Sequence, residues 1–328
     1  MFSHLDPDAL AALHHIDPQS PLGASLSEST IRNFAKTQLP QTSHRVEVVK
    51  AWNVALEGTS VLEIGCGQGD ASVVLASAAG GGSITAWDPA SPDYGEYIVF
   101  VELKLTLGSP LTVSQAQGNL ISKPQLQNLS FRLGCPLAEV LDVEYDVAVL
   151  LHCIYYFPSA NILSQTLKDL HPQVDTLCIA EYALETSNPA QQPHLLAVLA
   201  EQAFEALKPV GESESNVQTV LSPRAIIALA NACGWNLVHE MTITPGEALQ
   251  DGSWEVGTVY NTGWMNEVDA VLDKGVDESG RHRAHLSAAQ DAVIAAVDRL
   301  GSEGTDGVKG MSRVRTMDVW CAVFKREP

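Results

Sequence analysis

Positive charge is what this sequence has least of. Its 328 residues hold 19 Lys and Arg against 39 Asp and Glu, a formal net charge of −20. A surface that acidic repels phosphate backbones and anionic headgroups, so neither nucleic acid nor a membrane is an expected partner. Long apolar runs are missing as well, since none approaches the ~20 residues of a spanning helix. The opening Met1-Phe2-Ser3-His4 lacks the basic stretch and apolar core of a signal peptide. The six cysteines (66, 135, 153, 178, 233, 321) are scattered, with no two at CxxC spacing. That argues against a disulfide framework and against a zinc site, so no metal is expected. The chain reads as a reduced, cytoplasmic protein whose partner is a small molecule; its oligomeric state is not indicated.

With 45% hydrophobic residues, 24 Gly and 17 Pro, the composition is that of a globular chain. Residues 1–57 read as a helical arm, with helices over Ser27–Lys36 and Ser43–Ala55. From Ser60 the pattern turns to short apolar strands alternating with helices. Strands are expected at Ser60–Gly65, Ser83–Asp88, Leu129–Gly134, Tyr145–Leu151 and Asp175–Tyr182. Near-continuous apolar strands separated by helices imply a parallel sheet covered on both faces, an α/β doubly wound architecture. Two further helices, Pro193–Leu207 and one capped by Ser222, lead to a strand at Trp235–Thr244, and Val314–Lys325 closes the chain as another. The expected division is an arm (1–57), a core (58–244 and 313–328) and an inserted cap (245–312). In that cap a helix Ser287–Leu300 is legible, and Trp254, Tyr260 and Trp264 read as a lid over an apolar substrate or as the small core of the segment itself. Segment 96–110 (EYIVFVELKLTLGSP) interrupts the alternation, and reads either as an extra β-hairpin arm or as translated intron.

The stretch that carries chemistry is Val61-Leu-Glu-Ile-Gly65-Cys-Gly67-Gln-Gly69-Asp70: an apolar strand ending in an acid, then G-x-G-x-G, then a helix. Glycines there let the backbone turn tightly and approach a ligand where any Cβ would intrude. The helix that follows aims its free N–H groups at the same place. Asp88, at the tip of the second strand, is placed to accept hydrogen bonds from two ribose hydroxyls, at the first crevice of a doubly wound sheet. A dinucleotide fingerprint needs Gly or Ala at the sixth position, which here is Asp70. An acid at the helix start that would receive a pyrophosphate disfavours NAD. S-adenosylmethionine has no phosphate, and its ammonium and sulfonium tolerate acidic surroundings.

On these residues the chain resembles the class I S-adenosylmethionine-dependent methyltransferases. VLEIGCGQGD is similar to the family's first motif, Asp88 to its second, and Asp146 with the strand through Leu151 to its fourth. HRVEVVKAW (44–52) and HCIYYF (152–157) give it the look of fungal methyltransferase-like proteins of small-molecule metabolism. The resemblance implies a seven-stranded Rossmann-like sheet with an antiparallel finish. It also implies that Glu63, Gly65, Cys66, Gly67 and Gly69 line the methionine and ribose portions of the cofactor, that Asp88 holds the ribose, and that Pro89 and Ala90 pack beside the adenine. Where the family often has an acid after the third strand for the adenine amine, this chain has Gly134-Cys135-Pro136-Leu137, so backbone groups of Cys135 and Leu137 would serve. Gln41 and Arg45 would close over the methionine carboxylate, and His152 and Cys153 would border the sulfonium and the substrate.

For catalysis, His152 is the first candidate base, because an imidazole titrates near neutral pH. Tyr155 and Glu181, also at strand tips, complete the set; His44, His194 and Tyr260 rank behind these. The expected reaction is in-line O-, N- or C-methylation of a small-molecule metabolite. The alternatives are a cofactor-dependent cyclisation, dehydration or isomerisation without methyl transfer, or a non-catalytic cofactor-binding regulator.

Overall fold

A computed structural model of the chain describes residues 2–95, 111–213, 215–274, 279–301 and 310–326. Segment 96–110, the hairpin-or-intron stretch, lies outside the described residues. In chain order the elements are α1 (Pro7–Ala11), α2 (Pro21–Ala24), α3 (Glu28–Trp52), β1 (Ser60–Ile64), α4 (Asp70–Ala79), β2 (Ser83–Asp88), α5 (Val113–Ile121), β3 (Leu129–Leu133) and β4 (Tyr145–Leu151). There follow α6 (Ala160–Leu170), β5 (Val174–Tyr182), α7 (Gln192–Glu205), α8 (Pro223–Ala232), β6 (Trp235–Ile243), α9 (Asp251–Tyr260), α10 (Trp264–Leu272), α11 (Arg281–Leu300) and β7 (Val319–Arg326).

The seven strands form one sheet in the order β3-β2-β1-β4-β5-β7-β6. β1 to β5 pair in parallel, and β7 enters antiparallel between β5 and β6. The doubly wound sheet with an antiparallel finish is therefore the observed fold. Central strands are apolar at nearly every position because helices cover both faces: Val61, Leu62, Val147 to Leu150 and Leu177 to Ala180 are all buried. Register then decides where function sits. Ile64 stands opposite Trp87 on β2 and Leu150 on β4, and Leu151 opposite Ala180 on β5. The carboxyl ends of β1, β2, β4 and β5 thus finish level, with Gly65, Asp88, His152 and Glu181 along one rim. Asp146, by contrast, starts β4, and its carboxylate accepts from the Ser60 N–H and hydroxyl at the start of β1. It pins the opposite rim and is no part of the crevice.

Three local expectations are corrected. The two helices expected after Ser27 are one, α3, which runs unbroken through Pro40. Proline removes one N–H from the ladder, but the buried Val46, Val48, Val49 and Trp52 anchor the second half to the sheet. The Trp52 indole N–H also donates to the Ile179 carbonyl at 2.9 Å, so tertiary packing carries the helix across the defect. The last strand begins at Val319, not Val314, because the backbone before it is already committed. The Arg315 N–H donates to the Ala190 carbonyl, and the Met317 N–H to His194 Nδ1. Finally, segment 245–312 contains α9 and α10 besides α11, and these pack on α7 around a core of their own. Trp264 is buried there edge-on to Phe204 at 5.9 Å between ring centres, with Tyr260 packed beside it. These two aromatics build the core of the segment; Trp254 is 39% exposed.

Candidate active site

The turn after β1 is made of three left-handed glycines, Gly65 (φ 72°), Gly67 (φ 49°) and Gly69 (φ 94°). Each is required for a different reason. A Cβ on Gly65 would stand 2.6 Å from Cys153 Cβ, and one on Gly69 2.6 Å from Leu120 Cδ1, so both are packing glycines. A Cβ on Gly67 would meet nothing within 4 Å. That is the position where the backbone borders open space.

The turn is pinned from β2 and α5. The Gly67 N–H donates to Asp88 Oδ2 at 2.8 Å, and the Ala90 N–H to Asp88 Oδ1 at 2.8 Å. Gln117 on α5 donates to the Gly67 carbonyl at 2.6 Å. Each Asp88 oxygen keeps a lone pair for a further donor. Glu63, 2% exposed, accepts from the Ser72 hydroxyl at 2.5 Å, and burial pushes its carboxyl up to about 8. The Cys66 thiol is pushed far above its ordinary value by burial, then by the acids Glu63 and Asp88. It is no thiolate nucleophile.

On the nucleoside side, Pro89 is exposed, and Cys135 and Leu137 are half-buried. The Cys135 carbonyl accepts from the Trp87 indole N–H at 2.9 Å, which fixes the turn after β3 against the tip of β2.

At the tips of β4 and β5 the structure brings a dense polar cluster together. His152 has φ 52°, a left-handed conformation that costs a non-glycine residue about 1–2 kcal/mol. Its N–H remains tied to the Ala180 carbonyl at 2.9 Å, and its Nδ1 stands 3.4 Å from Glu181 Oε1. Glu181 is 1% exposed and also accepts from the N–H groups of Ile154 and Tyr182, each at 3.0 Å. His152 Nε2 lies 2.8 Å from Nε2 of His44 on α3. Burial, then the neighbouring His152 and Arg45, hold His44 well below the usual imidazole range. The Tyr182 ring packs on both His152 and His194, each at 4.8 Å between centres. Tyr155 is buried edge-on to Tyr182, its hydroxyl 3.5 Å from the Tyr182 carbonyl, and burial raises its phenol well above the ordinary value. Cys153 is buried behind Gly65, its thiol raised by burial and then by Glu181.

The arm and the α9 segment meet over this rim. Gln41 on α3 donates to Asp251 at the start of α9, and Arg45 donates to the Gln41 side-chain oxygen. Arg45 Nη1 is 4.0 Å from Asp251 Oδ2, and the Tyr182 hydroxyl is 3.5 Å from the same oxygen. His194 accepts from the Met317 N–H on Nδ1, so its Nε2 carries the proton and donates to Glu255 at 2.7 Å. Among the described residues, the buried side-chain atoms left without a partner are His14 Nε2, Gln38 Oε1, Thr42 Oγ1, His44 Nδ1 and Arg45 Nε. All belong to the arm. Gln38, Gln41, Thr42 and Arg45 follow i, i+3, i+4, i+7 spacing and so share one helix face. A buried polar atom without a partner costs about 1–3 kcal/mol, a cost that the polar groups of a ligand on this face could offset.

The crevice therefore gathers Gln41, Arg45, Glu63, the glycine turn, Asp88, His152, Cys153 and Glu181 on one rim. His44, Gln117 and Asp251 join them, and of these only His44 was visible as a candidate in the sequence. A histidine on an amphipathic helix and an acid in an irregular stretch carry no local mark of the partner they meet across the fold.

No protein-family model matches the chain. It is 24% identical over 350 residues to the methyltransferase phomM of Diaporthe leptostromiformis, covering 88% of this chain and 84% of that protein. A second methyltransferase of the same fungus, phomM', is 23% identical over the same span. Among solved structures, a cyclopropane-fatty-acyl-phospholipid synthase-like protein of Lactobacillus casei superposes with a TM-score of 0.69 at 25% identity, covering 99% of this chain and all of that one. The fold is the Rossmann-like fold of the class I methyltransferases.

Proposed function

We propose that this chain is an S-adenosylmethionine-dependent methyltransferase acting on a small-molecule metabolite in the cytoplasm. The observation that carries the reading is the cradle at Gly67. There a left-handed glycine borders open space, between a carboxylate (Asp88) with lone pairs to spare and an arm whose buried polar atoms lack partners. The residues fit this cofactor. Asp88 accepts from ribose hydroxyls, and the backbone of Gly65, Cys66, Gly67 and Gly69, with Glu63 behind it, lines the ribose and methionine. Arg45, with a buried Nε–H lacking an acceptor, takes the carboxylate, with Gln41 holding its guanidinium. Pro89 and Ala90 flank the adenine, and backbone groups near Cys135 and Leu137 face its amine. Asp70 at the start of α4 again speaks against a pyrophosphate. The cofactor supplies an electrophilic methyl group on a sulfonium, and the protein supplies alignment, worth about 7–11 kcal/mol of barrier in well-oriented reactions.

His152 and Cys153 would border the reacting end of the cofactor, and Glu181 holds the His152 ring through Nδ1. Tyr155, buried with its phenol neutral, shapes the wall on which Tyr182 packs. The resemblance to fungal methyltransferases supports a small-molecule substrate, as does the strongly acidic surface. The cytoplasmic reading is supported by six cysteines that are all free. Among the described residues no helix is long and apolar enough to cross a membrane. Calorimetry with S-adenosylmethionine and S-adenosylhomocysteine tests the reading first, with binding of both expected. Incubation with methyl-labelled cofactor and a metabolite extract tests it second. Label in a product supports methyl transfer; a product formed with the cofactor intact replaces it with non-methylating chemistry.

A further inference from the structure

His44 and His152 come from opposite sides of the crevice, one on the arm helix and one at the tip of β4, and meet through their Nε2 atoms at 2.8 Å. A contact that short between two ring nitrogens requires one proton between them. Glu181 decides where it originates. A buried carboxylate already accepting from two backbone N–H groups takes only a donor on its third side, so His152 Nδ1, at 3.4 Å, carries a hydrogen. Neutral His152 then has a bare Nε2 and accepts from His44 Nε2–H. That leaves His44 Nδ1 as a bare lone pair, and this atom is buried with no partner. The chain of atoms is continuous: Glu181 carboxylate, His152, His44, and an unused basic nitrogen on the arm.

We propose that this is a proton relay whose accepting atom is His44 Nδ1, with His152 as the residue that holds the charge. The inference rests on the methyl-transfer reading and adds to it that the substrate's nucleophile carries a proton it must lose. The step balances. The substrate's O–H or N–H proton passes to His44 Nδ1 while the proton on His44 Nε2 passes to His152 Nε2. His44 ends neutral as its other tautomer, and His152 ends as imidazolium beside the Glu181 carboxylate. The division of labour follows from position. His44 is buried beside the Arg45 guanidinium and is a poor place for positive charge, whereas His152 faces a buried carboxylate. The Tyr182 ring, its phenol neutral, packs on His152 as well. The left-handed backbone of His152 has its use here, since it sets the ring between Glu181 and the arm.

The test is nitrogen-15 NMR of the protein labelled in its histidine rings, titrated between about pH 5 and about pH 9 with S-adenosylhomocysteine present. His44→Gln and His152→Asn assign the two rings. At the alkaline end, His152 is expected to carry its hydrogen on Nδ1 and His44 on Nε2. On acidification both rings should change at one shared midpoint, and Glu181→Gln should move that midpoint down. Two separate midpoints, or a hydrogen on His44 Nδ1 at the alkaline end, overturn the relay, and the wild-type spectrum decides this even if Glu181→Gln fails to fold. A merely structural pair is separated by activity. With methyl-labelled cofactor and extract, His44→Gln should lose at least tenfold in transfer near neutrality and recover as hydroxide rises, with S-adenosylhomocysteine affinity kept. Transfer by His44→Gln at the wild-type rate overturns the relay. No cofactor uptake by the wild type sinks the methyl-transfer reading instead, whatever the midpoints.

Discussion

At the scale of single residues, the glycine turn separates two kinds of glycine that look alike in sequence. Gly69→Ala places a methyl 2.6 Å from Leu120 Cδ1 and 3.0 Å from Phe131, at φ 94°. Overpacking plus left-handed strain should cost about 2–4 kcal/mol in urea unfolding. Gly67→Ala meets no neighbour, so only about 1–2 kcal/mol of strain is expected; its effect should appear as at least tenfold weaker cofactor binding by calorimetry. Equal stability losses in the two variants would contradict this division. Glu63 makes a second residue-scale prediction. Its folded carboxyl stands near 8, above its unfolded value. Through that window the folded chain holds a proton the unfolded chain has lost, so stability falls as pH rises. Between pH 6 and 8 the wild type should lose about 2 kcal/mol from this group, and Glu63→Gln should lose correspondingly less. Identical pH profiles would mean that Glu63 is already ionised.

At the scale of elements, α7 is the hinge of the design. One side of it packs toward the sheet through Val198, and another, through Ala197, Ala200 and Phe204, closes the core of α9 to α11. Trp264→Ala removes the ring packed on Phe204 and should cost about 3–5 kcal/mol. Hydrogen exchange should accelerate in α9 to α11 while β1, β4 and β5 stay protected. Uniform acceleration across the sheet would show one cooperative unit in place of two coupled cores. The same elements show how much was legible. Strand tips, the glycine turn and Asp88 could be read from apolar runs ending in Gly, Asp or His, because strand burial and turn chemistry are local. The continuity of α3 through Pro40, and the two extra helices before α11, could not. Propensity argues against the first and is weak for the second, and both are settled by surfaces that only the fold supplies.

At the scale of the whole molecule, a net charge of −20 sets a field over the crevice. S-adenosylmethionine carries one net positive charge and its demethylated product none, so the field favours the reactant over the product. Raising salt from about 0.05 M to about 0.5 M, which shortens the screening length severalfold, should weaken S-adenosylmethionine binding while leaving S-adenosylhomocysteine nearly unchanged. Parallel salt slopes for the two ligands, measured by calorimetry, would remove long-range charge from the account.

Local chemistry in the chain determined the alternating α/β pattern and the glycine turn with its two flanking acids, since each depends on neighbours in sequence. Tertiary structure alone decided which polar residues face one another. Pairs such as His44 with His152, Gln41 with Asp251 and His194 with Glu255 join residues 61 to 210 positions apart. A side chain's partner across such distances is fixed by sheet register and helix packing, and no periodicity in the sequence encodes it.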